Sequence, residues 1–174
     1  MINDIQNALT NTGESLTEIS RRKPVILVFL RHFGCIFCRE ALDDLAEKRD
    51  EIKDSGIELI LVHMAANELA EQFLKEYELS GVTHISDPEC LLYAEFGLKK
   101  GRFGQLFGIK TLLRAFELKR KSESLIVDPI GDSFQMPGVF LLKDLEVLDS
   151  YIHKTISDRP DYDKMILSCK AESQ

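Results

Sequence analysis

Six apolar residues, Val25 to Leu30, follow Pro24 without a break and stop at Arg31. A run this short and wholly apolar reads as a strand buried on both faces. After a turn containing Gly34, Cys35 and Cys38 open a stretch in which Phe37, Ala41, Leu42, Leu45, Ala46 and Ile52 recur at helical spacing. A C-x-x-C placed where a buried strand hands over to a helix is the layout of a thiol–disulfide redox site.

The same alternation continues along the chain. Ser55-Gly56 ends the first helix, Ile57 to Met64 is a second buried strand, and Asn67 can cap a helix from Glu68 to Leu79. Val82 to Ile85 is a short third strand, and Ser86-Asp87-Pro88 starts a helix reaching Gly97. Strand–helix alternation calls for parallel strands with crossovers. Gly138 to Leu142 and Val147 to Lys154 then read as a hairpin, the second strand half solvated, before a terminal helix from Asp161 to Cys169. Upstream, residues 2–20 predict an amphipathic helix and a polar approach, with Ile2, Ile5, Leu9, Leu16 and Ile19 as the packing contacts. The expected architecture is α/β, one domain over 1–174, with a core at about 24–155 and a tail at 156–174. A chain this long buries enough surface to need no disulfide staple.

Residues three apart share a helix face, so Cys35 and Cys38 can approach to bonding distance. A thiolate in the opening turn also meets unpaired backbone N–H groups and the positive end of the helix dipole. Arg31, His32 and Arg39 are candidates to add positive charge. By position Cys35 is the more exposed nucleophile and Cys38 the resolving thiol. Two other readings compete. Structural zinc needs four ligands, and no second C-x-x-C is present. The pair could also be inert buried cysteines. Cys90 and Cys169 read as unreactive, although Cys169 in a mobile tail could serve as a distant resolving thiol. Met136-Pro137 precedes a strand that belongs beside the redox helix, so this loop should face the sulfurs and offer backbone groups to an extended substrate. The pattern alone leaves both isomers of that peptide bond open. His32 and His63 read as satisfied structural groups.

A net charge of −7 argues against a general nucleic-acid binder. Residues 99–121 nonetheless carry eight basic residues against one acidic. There Leu106, Ile109, Leu112, Leu113 and Phe116 fall on one helical face, with Lys110, Arg114 and Lys119 elsewhere. Such a helix can lie on a membrane, dock a partner, or simply fold back over its own domain. The N-terminus lacks a basic n-region and an apolar core, and no run is long enough for an integral membrane segment, so a cytoplasmic setting is expected.

Three stretches carry a family resemblance: V-I-L-V-F-L-R-H-F-G-C-I-F-C-R-E, then S-D-P-x-x-x-L-Y-x-x-F-G at 86–97, then Q-M-P-G-V-F at 135–140. Together they resemble the thioredoxin fold and, more narrowly, the peroxiredoxin-like branch, with C-x-x-C, of the alkyl hydroperoxide reductase/thiol-specific antioxidant (AhpC/TSA) family. The resemblance implies a thioredoxin-like central mixed sheet flanked by helices, with an N-terminal extension and an inserted helix at about 99–121. It also implies a cis bond before Pro137 and a catalytic site made by Cys35, Cys38 and the 136–137 loop; with Met136 and Pro137, Arg31 and Arg39 are the candidate substrate-binding residues. The family's P-x-x-x-T-x-x-C places its peroxide-attacking cysteine at Cys38, with Cys35 at the threonine position and Arg31 at the proline position. The thioredoxin pattern makes Cys35 the attacking thiol, and puts Phe29 where that pattern has a buried acid.

The expected function is thiol–disulfide oxidoreduction on peroxide or protein disulfides, with no bound cofactor. A thioredoxin- or glutathione-type thiol is the expected reductant, and a homodimer is among the expected assemblies. The competing class is a non-enzymatic, redox-responsive binding module that uses the basic 99–121 helix.

Overall fold

The computed structural model describes residue 5 and residues 8–121 and 131–172. Its five strands are β1 (Val25–Phe29), β2 (Glu58–His63), β3 (Thr83–Ser86), β4 (Gly138–Lys143) and β5 (Glu146–Ile152), in the spatial order β3-β2-β1-β4-β5. β1 pairs parallel with β2, and β2 with β3. β4 runs antiparallel to both β1 and β5. The sheet is therefore mixed, with the apolar run at its centre.

Each residue of β1 is buried, and the side chains alternate between two cores. Ile26 and Val28 join a cluster with Leu42, Leu45, Leu61 and Ile166, while Val25, Leu27 and Phe29 join one with Leu16, Ile60, Tyr93 and Phe140. A strand with period two can feed both faces only if it is apolar throughout.

Helices α1 (Leu16–Arg22), α2 (Ile36–Asp54), α3 (Asn67–Glu76), α4 (Leu91–Glu95), α5 (Phe103–Phe107), α6 (Ile109–Lys121) and α7 (Tyr162–Glu172) flank or follow the sheet. Near the N-terminus the expectation is only partly met. Leu16 and Ile19 pack inward, but Leu9 is 59% exposed, and residues 10–14 form a turn closed by the Thr10 and Glu14 backbones. Ile2 lies outside the described residues. α3 begins one residue earlier than expected: Ala66 occupies the N-cap, so Asn67 is helical and does not cap. α7 buries Met165, Ile166 and Cys169 in the main core, which removes Cys169 from consideration as a thiol on a mobile tail. No helix among the described residues is long and apolar enough to cross a membrane.

The inserted segment is two helices broken at Gly108, and it does fold back over the domain. α6 turns the opposite way from its apolar pattern, however. Thr111 is buried and Ala115 packs on the cysteine cluster, whereas Leu112, Leu113 and Phe116 are 57%, 64% and 67% exposed. The orientation is fixed by Arg114 Nη2, which donates to Glu40 Oε1 of α2 at 2.6 Å. The side chains of Ile109, Lys110 and Lys119 lie outside the described residues.

Asp87 explains the S-D-P stretch. Its buried carboxylate accepts from the N–H groups of Leu91, Leu92 and Tyr93 at 3.0, 2.8 and 3.2 Å, satisfying the first turn of α4. One function of α4 is to present Tyr93, whose hydroxyl reaches the carbonyls of Leu30 and Val62 at the ends of β1 and β2. Asp87→Asn retains an acceptor but loses the charge-assisted bonds. It should lower stability by about 1 kcal/mol, about fivefold in the folding equilibrium, measurable by urea unfolding.

Candidate active site

β1 ends at Phe29, and residues 30–34 make the turn that delivers Cys35 to the N-cap of α2. Leu30 N–H still bonds to Val62 O at 2.9 Å, so the chain leaves the sheet in a fixed direction. Cys35 then caps with its backbone: its carbonyl accepts from Cys38 N–H at 3.0 Å and from Arg39 N–H at 3.1 Å. The two thiols thus occupy the opening turn, both in the free form.

Arg31 handles both sulfurs. Its Nη1 donates to Cys35 Sγ at 3.2 Å, and its backbone N–H donates to Cys38 Sγ at 3.3 Å. Nε donates to the Ser133 carbonyl at 2.8 Å, and Nη2 donates to the same oxygen. One guanidinium therefore links Cys35 to the 131–136 loop.

The two thiols titrate apart. Cys35 is pulled down to about 6: a hydrogen bond from Cys38 contributes most, burial opposes it, and the Arg31 guanidinium adds its charge and a hydrogen bond. Cys38 is pushed the other way by the same thiol–thiol contact and by burial. His32 is lowered to about 4 by burial and by Arg31, so it is neutral near pH 7 and adds no positive charge. The cation acting on the thiols is Arg31. Arg39 donates from Nε to the Phe33 carbonyl at 3.3 Å, bracing the turn before Cys35.

Met136 packs on the pair, as expected, in a cluster of Cys35, Phe37, Cys38, Leu106 and Ile156. A Cβ at Gly101 would sit 2.7 Å from Met136 Sδ, so glycine there lets the methionine lie close. Lys99 O accepts from Met136 N–H at 3.3 Å, and Gly101 N–H donates to Phe134 O at 2.6 Å, tying the loop to the 98–101 segment. The Met136–Pro137 bond is trans, against the resemblance-based expectation.

The expected difference in exposure is not seen: Cys35 and Cys38 are 6% and 5% exposed. Beside them lies a cavity of about 30 Å³ that Arg31, Phe37, Pro137, His153, Ile156 and Asp158 also line. Leu106 of α5, 1% exposed, contributes to the cover, and Gln105 Nε2 pins that helix to Lys154 O at 3.0 Å.

Sequence reasoning missed Ser133, Leu106, His153 and Asp158. The first two reach the site through loop and insertion geometry that leaves no local pattern. His153 sits where the alternation of β5 ends, which was the one available signal. Of the histidines expected to be satisfied, His63 is half so: its Nε2 meets His84 Nδ1 at 2.9 Å while its Nδ1 has no partner among the described residues.

Comparison with known proteins agrees with this fold. Human Peroxiredoxin-like 2C is 31% identical over 132 residues, covering 70% of this chain and 57% of its own length, so the chain spans little more than half of that relative. The fold is shared with Peroxiredoxin Q of Xanthomonas campestris (TM-score 0.67, 13% identity, 98% of this chain and 94% of that one). It is shared also with the peroxidoxin BcpB of Mycobacterium tuberculosis (TM-score 0.64, 17% identity, 94% and 90%). The thioredoxin-like mixed sheet expected from sequence is thus present. Residues 5–148 match the AhpC/TSA family over most of the chain, and the chain belongs to that family.

Proposed function

We propose that this chain is a thiol–disulfide oxidoreductase in which Cys35 attacks and Cys38 resolves. The observation that carries this reading is the double contact of Arg31. A cation on one sulfur and a backbone donor on the other hold two thiols of unequal acidity in one helical turn. The acidic partner is thiolate near pH 7 and attacks; its neighbour stays protonated until a mixed disulfide has formed. The substrate class is a protein disulfide, with Met136 and Pro137 as its docking edge. A thioredoxin- or glutathione-type thiol of the cytoplasm returns the pair to the dithiol.

A second reading has peroxide attacked at Cys38. Family membership favours it, as does the small cavity beside the sulfurs. The high proton affinity of Cys38 weighs against it. On either reading, larger substrates must displace Leu106 or Met136, because both sulfurs are covered.

Mild oxidation followed by blocking of free thiols and mass spectrometry should find a Cys35–Cys38 disulfide, with Cys90 and Cys169 still alkylated after denaturation. Absence of the 35–38 bond at every oxidant dose would overturn both readings.

A further inference from the structure

We propose that His153, beside the charge of Asp158, accepts the Cys38 proton during resolution and returns it to the departing substrate sulfur. This rests on the dithiol reading above. His153 follows β5 and is 9% exposed, and its Nδ1 is buried with no hydrogen-bond partner among the described residues. A buried ring nitrogen that no hydrogen bond satisfies is uncommon in folded proteins, which asks for a reason. It borders the same small cavity as Cys35 and Cys38, whose volume of about 30 Å³ suits a water or two between polar groups. A single relaying water keeps a base within catalytic reach. Asp158 borders the cavity too, and its carboxylate is fixed by the N–H groups of Lys154 and Thr155 at 2.7 and 3.0 Å and by the Thr155 hydroxyl at 2.7 Å. The place of the thioredoxin pattern's buried acid is taken by Phe29, whose ring packs among Tyr93, Phe96 and Phe140 and offers no acceptor.

The chemistry balances. Once Cys35 has taken the substrate as a mixed disulfide, the Cys38 Sγ–H proton passes to neutral His153. Cys38 Sγ then bonds to Cys35 Sγ, the bond from Cys35 to the substrate sulfur breaks, and its electron pair leaves on that sulfur. The imidazolium protonates the departing thiolate. Two electrons pass from the dithiol to the substrate, and the histidine is unchanged. Burial lowers the affinity of His153 for protons, opposed by the nearby Pro137 backbone and by the charge and backbone of Asp158, so the ring is neutral and ready to accept at pH 7. The other ionisable groups around it are Cys35 and Cys38 of α2, Arg31, Tyr162 of α7, and Tyr151 of β5, edge-on at 5.3 Å between ring centres.

The test is stopped-flow reaction of the reduced full chain with a bis(nitrobenzoate) disulfide, which releases one coloured thiolate on attack by Cys35 and a second on closure by Cys38. Cys38→Ser marks the amplitude of the second release. In His153→Gln, closure should slow about 100-fold at pH 7 while the first release stays within about threefold. The deficit should shrink as pH rises toward the titration of Cys38 itself, and added imidazole should partly restore closure in His153→Ala. Closure within threefold of the parent, or an equal loss at every pH with no imidazole rescue, would overturn the assignment. Should both variants misfold, the parent decides: the acidic limb of its closure profile must coincide with the ring titration of His153 seen by NMR, and divergence overturns the proposal. A parent that releases only one thiolate defeats the dithiol reading as well. Two releases with unaffected His153 variants defeat this inference alone.

Discussion

The Cys35→Ser variant is expected to lose protein-disulfide reduction by at least about 10³-fold, whereas Cys38→Ser should stall with substrate bonded to Cys35. Both lose turnover, for different reasons. Without Cys35 the attacking thiol is gone; Cys38 loses the thiol contact that raises it most, but its burial still opposes ionisation. Without Cys38 the first bond still forms, but nothing in the opening turn breaks it. Gel separation without reductant distinguishes the outcomes, since only Cys38→Ser should carry a substrate adduct that free thiol releases. Peroxide is the informative second substrate. Consumption that survives Cys35→Ser and vanishes in Cys38→Ser would make Cys38 the attacking group.

Arg31→Met should change the pH dependence of Cys35 more than its maximal rate. An opposite charge at this range lowers a thiol's titration by about 1–3 pH units. Taking two, the thiolate fraction at pH 5, below the parent's titration at about 6, falls about 100-fold. A more basic thiolate is also a better nucleophile, and with a Brønsted slope near 0.45 it recovers about eightfold. The net expectation is an attack about tenfold slower at pH 5. By the same numbers the deficit should close near pH 7, and above about pH 9, where Cys35 is ionised in both proteins, the variant should be the faster by about eightfold. An equal slowdown at every pH would mean that Arg31 acts only by fixing the loop through Ser133. The same substitution strands the Ser133 carbonyl, so some stability, about 1–3 kcal/mol, should go with it.

Where one physical effect dominated, sequence and structure agree. The continuous apolar run of β1 could satisfy only a strand covered on both sides, and the cysteine spacing could only put two sulfurs on one turn. The parallel pairs and the terminal hairpin followed from alternation alone. Agreement stopped where competing interactions had to be weighed in three dimensions. The apolar stripe of α6 left its orientation open between a membrane, a partner and its own domain; the helix does fold back, but with Thr111 and Ala115 inward, Arg114 paired to Glu40, and its leucines exposed. Asn67 suited a cap, but the helix starts a residue earlier. The isomer of the Met136–Pro137 bond depends on a loop held by Arg31, Lys99 and Gly101, none of them adjacent in sequence. His153 gave no sign beyond the end of a strand. Its neighbours come from α2, from the loop before β4 and from the segment after β5, and only the closed sheet assembles them.

The register of β1 against β4, Val25 opposite Leu142, has a consequence for how the protein is made. Cys35 and Cys38 leave the ribosome before the strand that completes their sheet, and Met136, His153 and Ile156 beside them emerge more than ninety residues later. Throughout that interval the nascent chain carries two thiols with neither the shelter nor the tuned acidity of the finished site. Synthesis in a reducing compartment, or an escort that occupies the exposed β1 edge, would keep them from reacting before the fold can govern them.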